Sequence, residues 1–216
     1  FVPNHVAREY HSDAKPSGVE DLGATDDKGM FFSPSNNFFY ITGKEFAPNV
    51  DLGQGNDRYL EFPAKATGND CYNEYPGVND WYETVKLNYG VDPWNGCHHF
   101  SPIPSTWQKM CDILLYWASK GVDGFRCDMA HMVPVDFWHW AIAKVKEAYP
   151  SVVFIAELYD VGIYHNYIHY GGFDYLYDKV NLYDRLCEIV KYGASASALT
   201  ECWQRVDGLQ DHMLNF

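Results

Sequence analysis

The sequence predicts an α/β fold, with a parallel sheet flanked by helices and its chemistry at the C-terminal ends of the strands. Three observations predict it. Gly121-Val122-Asp123-Gly124-Phe125-Arg126-Cys127-Asp128 is a short apolar run that ends in a carboxylate. Val152-Val153-Phe154-Ile155-Ala156-Glu157 is another. One helix-sized segment separates them, so the pattern reads strand, helix, strand. Parallel neighbours lie about 4.8 Å apart, which sets Asp128 and Glu157 side by side on one sheet edge.

The elements follow in order. Residues 1–7 read as the end of a strand. Residues 8–100 are rich in Gly, Asn, Asp, Pro and aromatics, with turn clusters at 53–57 and 76–80 and no long helical period. A structureless loop of that length is improbable in a compact domain, so an irregular β-rich subdomain with short strands is expected there. Residues 101–216 carry the regular elements. Ser105-Thr106-Trp107-Gln108 fits a capping box with Ser105 as the cap. Met110, Ile113, Leu114 and Trp117 follow at helical spacing, and Gly121 is the expected stop. Strand 122–128 comes next. Pro134 precedes a helix over 135–148, with Phe137, Trp138, Ile142 and Val145 on one side and Pro150 beyond its end. Strand 152–157 follows, then a short strand at 173–176, helical segments near 181–192 and 195–206, and a last apolar run, Met213 to Phe216.

The bulk numbers exclude several classes. The chain has 216 residues, 16 basic against 29 acidic, for a net charge of −13. That balance argues against a nucleic-acid backbone or an anionic membrane as partner. No apolar run approaches the roughly 20 residues of a spanning helix. The six cysteines show no zinc spacing and read as free thiols, which favours a cytoplasmic protein over a secreted one. The 7 Trp, 17 Tyr and 13 Phe suit the apolar faces of sugar rings as well as they suit a core. Trp81, Tyr82 and Trp94 carry the same two readings, platform or packing. His165 and His169 stand at i, i+4 with no third ligand, and Cys97-His98-His99 has no partner pair, so no metal site is read from either.

Two carboxyls at neighbouring strand ends are what acetal cleavage with retention requires, at a separation of about 5–5.5 Å. Arg126 precedes Asp128 by two residues and shares its strand face, which favours an ionised nucleophile at Asp128. Glu157 follows five apolar residues, so burial and the Asp128 charge are expected to raise its pKa and make it the acid/base. Strand-end acids also cap helices or pair with arginine, and spacing alone leaves both readings standing.

At this point the residues resemble a known family. Gly124-Phe125-Arg126-Cys127-Asp128 resembles the nucleophile motif of the α-amylase family, glycoside hydrolase family thirteen. Phe154-Ile155-Ala156-Glu157 resembles its acid/base motif, and Phe1-Val2-Pro3-Asn4-His5 the end of the motif that closes its third barrel strand. The resemblance implies the central part of a (β/α)8 TIM barrel, from the third to the seventh strand, with 8–100 as the inserted subdomain B. It implies retaining hydrolysis of α-glucan or maltooligosaccharide bonds, with Asp128 as nucleophile, Glu157 as acid/base, and Arg126 and His5 around the sugar. His131 falls where a residue contacting the leaving-group sugar stands. The alternatives are a transglycosidase of the same family, sharing both carboxyls, and a non-catalytic binding or assembly relative.

The family pattern also implies departures. Its first Asp falls before Phe1 and its later His-Asp pair beyond Phe216, so the segment on its own is expected to be inactive. No cofactor is required. Calcium at Asn4 is doubtful, because Met132 and Lys86 stand where oxygen ligands are expected. Lys86 would put an ammonium in the metal's place.

Overall fold

The computed structural model describes residues 1–8, 15, 18–52 and 59–215. The turn cluster expected at 53–57 and Phe216 lie outside the described residues. The chain divides into two compact units, Asn4–Met110 on the one hand and Phe1–Pro3 with Cys111–Phe216 on the other.

Among the described residues, Asn4–Met110 holds four short strands: β1 (His5–Ala7), β2 (Tyr40–Ile41), β3 (Ala64–Lys65) and β4 (Thr84–Lys86). β1 pairs antiparallel with β4, His5 opposite Lys86, and β2 with β3, Tyr40 opposite Lys65. Among the described residues these strands form two two-stranded sheets. Side chains that bond to backbone supply the order that strands do not. The Asp26 carboxylate accepts from the N–H groups of Asn37 and Phe38 and from the Tyr40 hydroxyl. Buried Asn37 donates to the hydroxyls of Ser105 and Thr106. Phe39, Phe46, Val85, Leu87 and Trp107 fill the core of this unit.

α1 runs Ser105–Ala118. Ser105 is its first helical residue and not its cap, because its hydroxyl is engaged by Asn37 and the Ser35 carbonyl. The buried row of α1 passes through Met110, Leu114 and Ala118, which leaves Trp117 half exposed. Gly121 takes the left-handed φ of +83° that a helix stop needs.

The second unit is built on four parallel strands in the order β5 (Gly124–Cys127), β6 (Val153–Ala156), β7 (Tyr175–Tyr177) and β8 (Met213–Leu214). The α/β class and the parallel sheet are as the sequence predicts. α2 (Val135–Ala148) connects β5 to β6, with Phe137, Trp138, Ile142 and Val145 all buried. Tyr149 leaves the helix because a residue before proline is excluded from the α region. α3 (Tyr164–His169) precedes β7, and α4 (Asp184–Tyr192) and α5 (Ala198–Arg205) precede β8. The helical segment expected near 181–192 is divided, with a π-helical turn over Lys179–Tyr183 before α4. Gly193, at φ +70°, closes α4 and donates to the carbonyls of Glu188 and Ile189.

Close packing of β5 on β6 requires Gly124, since a Cβ there would lie 2.5 Å from the Val153 carbonyl oxygen. Trp138 packs edge-on to Phe173, with centroids 4.9 Å apart, and ties α2 to the segment entering β7. The strand expected over 1–7 is divided. Phe1 runs beside β5, its carbonyl accepting from the Asp128 N–H at 2.9 Å, whereas His5–Ala7 belong to β1. Pro3 has no N–H to carry one ladder through both.

Candidate active site

The register of the parallel sheet builds the site. Cys127 pairs with Ala156, and Ala156 with Leu176. Asp128 and Glu157 directly follow β5 and β6, and Tyr177 is the last residue of β7, so the three stand as neighbours at the same sheet edge. The Glu157 N–H donates to the Cys127 carbonyl at 3.0 Å, which extends the ladder to the site itself.

One guanidinium holds the two carboxylates. Arg126 Nη1 bonds Asp128 Oδ1, and Nη2 lies 2.8 Å from Glu157 Oε1. Nη2 also donates to the Tyr177 hydroxyl at 2.8 Å. The planar fork of arginine makes such double engagement geometrically natural. Glu157 is the most enclosed of the three, with a side chain 7% exposed against 26% for Asp128 and 47% for Arg126. Its Oε1 also accepts from Tyr159 Oη at 2.6 Å, and its Oε2 from the Met129 N–H at 2.9 Å. Met129 has φ +45°, a left-handed conformation uncommon for such a side chain, in the turn that aims this N–H.

This set corrects the expected ionisation of Glu157. Burial does push its pKa up. The hydroxyls of Tyr159 and Tyr177, the Met129 N–H and the Arg126 charge outweigh it, and the carboxyl is held down at about 2. Three donors and a guanidinium stabilise the charged form directly, against the burial and the Asp128 charge that the sequence shows. The Tyr159 phenol responds in the opposite direction, pushed up to about 12 chiefly by its bond to Glu157. Burial and Glu157 likewise raise Tyr177. Both tyrosines are therefore protonated donors at neutral pH.

The other expected site residues are placed as follows. His131 lies in a short 3-10 turn, its ring edge-on to Tyr159 at 5.9 Å, and its Nδ1 is buried without a hydrogen-bond partner. His5 belongs to the other unit, on β1, with its ring 5.4 Å from Trp81. The structure thus brings together Arg126, Asp128 and Glu157, with His131 against their tyrosine neighbour. Sequence reasoning missed Tyr159 and Tyr177. Position was the available signal, since each stands at or just past a strand end.

Of the aromatic candidates, Trp94 is exposed, and Trp81 and Tyr82 are half-buried. Trp94 stacks on Phe31 at 5.0 Å, and Trp81 faces His5. His98 stacks on Phe100 and His99 tilts against Phe32. His165 and His169 face each other on α3 at 5.6 Å, and no group of three or more His, Cys, Asp or Glu that could hold a metal occurs among the described residues.

The surroundings of Asn4 do not fit calcium. Lys86 Nζ donates to Asn4 Oδ1 at 3.0 Å and pairs with Asp70 Oδ1 at 2.6 Å. Asn4 Nδ2 donates to the Gly68 carbonyl at 2.6 Å. The carbonyl oxygen that would face a hard cation is taken by an ammonium that is itself buried.

No family model matches the chain. A Picrophilus torridus protein named α-1,4-glucan:maltose-1-phosphate maltosyltransferase is 47% identical over 102 residues, covering 41% of this chain and 16% of that protein. A Pseudomonas aeruginosa protein of the same name is 32% identical over 94 residues, covering 40% of this chain and 14% of that protein. The match thus spans only about one-sixth of the length of these curated relatives. Among solved structures, the ligand-free cyclic α-maltosyl-(1→6)-maltose hydrolase of Arthrobacter globiformis superposes with a TM-score of 0.51 at 21% identity, over 71% of this chain and 32% of that one. That likeness speaks to the fold.

Proposed function

We propose that this chain belongs with the α-amylase family and carries the catalytic carboxylates of an enzyme that transfers glycosyl groups on α-glucans with retention. The observation that carries the reading is the shared guanidinium. Arg126 holds Asp128 and Glu157 together at the tips of adjacent parallel strands. In this reading the second unit supplies strands from the middle of a (β/α)8 barrel, and residues 8–100 its inserted subdomain.

Asp128 attacks the anomeric carbon, the bond to the leaving oxygen breaks, and a glycosyl-enzyme forms with inversion. Glu157 then takes the proton of an acceptor hydroxyl as that oxygen attacks the same carbon, expels the Asp128 carboxylate and restores the configuration. An ionised Glu157 is ready for this second half. It is poorly prepared to protonate an alkoxide leaving group in the first. A donor whose leaving group departs as a stable anion, such as a glycosyl phosphate, asks less of it. The names of the matched curated relatives favour transfer over the hydrolysis expected from the sequence. His5 and His131 are proposed sugar contacts.

The test is product analysis on the full-length protein. Maltose 1-phosphate with a maltooligosaccharide acceptor should give chain lengthening with stoichiometric phosphate. New reducing ends from maltooligosaccharide alone, without lengthening, would favour the hydrolase reading instead.

A further inference from the structure

We propose that Tyr177 is a positioning residue of this centre, whose hydroxyl couples the Arg126 guanidinium to the Glu157 carboxyl. The proposal rests on the reading that Glu157 acts in the chemistry. Tyr177 lies far from both groups in sequence and reaches them through the register of β7. A phenol has one proton to give and lone pairs to accept with. Here the oxygen accepts from Arg126 Nη2 at 2.8 Å, and the proton is directed at Glu157. The guanidinium carbon also lies 5.6 Å from the Tyr177 ring centroid, so the ring limits the swing of the arginine.

The groups facing Glu157 come from three strands. Arg126 and then Asp128 come from β5, Tyr159 follows β6, and Tyr177 ends β7. The Met129 N–H and the His131 ring, the latter against Tyr159, complete the set. Among them Tyr177 is the member that touches both ends of the Arg126–Glu157 pair from a third strand. Losing its hydroxyl removes a donor from Glu157 and an acceptor from Arg126 at once. The carboxylate then becomes easier to protonate, and the guanidinium keeps only its two carboxylate contacts.

The experiment titrates Glu157 in the full-length protein by carbon-13 NMR of labelled carboxyls, assigned by difference from Glu157→Gln. Tyr177→Phe should raise the midpoint by about one pH unit, the equivalent of one charge-assisted hydrogen bond partly compensated by the donors that remain. Incorporation of 3-fluorotyrosine at 177, isosteric but a stronger donor, should lower it. The paired opposite shifts distinguish positioning from packing, and the fluorinated residue serves even where Tyr177→Phe folds poorly. A midpoint that stays within 0.2 pH units (about a fifth of that predicted shift) in both proteins overturns the proposal. The pH profile of kcat, measured with maltose 1-phosphate and a maltooligosaccharide, should shift in step with the titration. Midpoints that shift while Glu157→Gln keeps parental activity would uphold the coupling of Arg126 to Glu157 and overturn only the catalytic reading of Glu157.

Discussion

Replacing Arg126 with lysine keeps the charge and removes the fork. In the structure the two ends of the guanidinium serve different carboxylates, Nη1 on Asp128 and Nη2 on Glu157, with Tyr177 also on Nη2. A single ammonium on a flexible stem can hold one of the two partners well. The loss is therefore about one charge-assisted hydrogen bond, on the order of 1.5–3 kcal/mol. If that bond positions the reacting groups in the transition state, kcat/KM should fall about 10- to 150-fold. The assay is glycosyl transfer by the full-length Arg126→Lys protein, with thermal melting to establish that the fold is kept. Arg126 is half exposed, so the melting temperature should change little. A variant within twofold of the parental kcat/KM would refute the reasoning, because the guanidinium would then be a charge and not a clamp (a twofold change is only about 0.4 kcal/mol).

Lys86→Met should leave the buried Asn4 Oδ1 without its donor, while relieving the cost of a buried ammonium. The net loss should be about 1–2 kcal/mol, or roughly 2–8 °C in Tm; calcium and chelator should leave the parental Tm unchanged, and a calcium-dependent rise would contradict the assignment of Lys86. Glu157 also links stability to acid. Its folded pKa is depressed, from 4.5 to about 2, so its contribution is fully present above about 4.5 and is lost as pH falls toward 2. With discount for solvent screening at the open strand tips, the stability of the parent relative to Glu157→Gln should decline by about 1–2 kcal/mol over that interval. Denaturant melts at several pH values measure this, and a difference independent of pH would disprove the link.

The parts of the fold legible in the sequence are those where one local signal suffices. Strand β5, helix α2 and strand β6 follow from apolar runs, Pro134 and Pro150, and the expected bounds of α2 match those observed. The proximity of Asp128, Glu157 and Arg126 was readable because parallel pairing and the alternation along a strand are local rules. What was not legible depends on partners remote in sequence. Nothing near Pro3 announces that Phe1 and His5 part company. Ser105 looks like a cap until Asn37, 68 residues away, takes its hydroxyl. Tyr177 sits in a three-residue strand too short to set a register by itself, so its meeting with Arg126 and Glu157 is a product of the folded sheet. The ionisation of Glu157 was misread for the same reason, since its donors come from the next turn, from β5 and from β7.

The central claim is that Asp128 is the nucleophile of a glycosyl-transfer centre, and trapping the covalent intermediate tests it most directly. Full-length protein carrying Glu157→Gln would be treated with an α-maltosyl fluoride, whose leaving group needs no proton, in the absence of acceptor. The digest would then be mapped by mass spectrometry. The account predicts a glycosyl adduct on the peptide containing Asp128, with loss of the label in the Asp128→Asn protein. An adduct on another carboxylate, or no adduct from a protein that still transfers sugar, would contradict it.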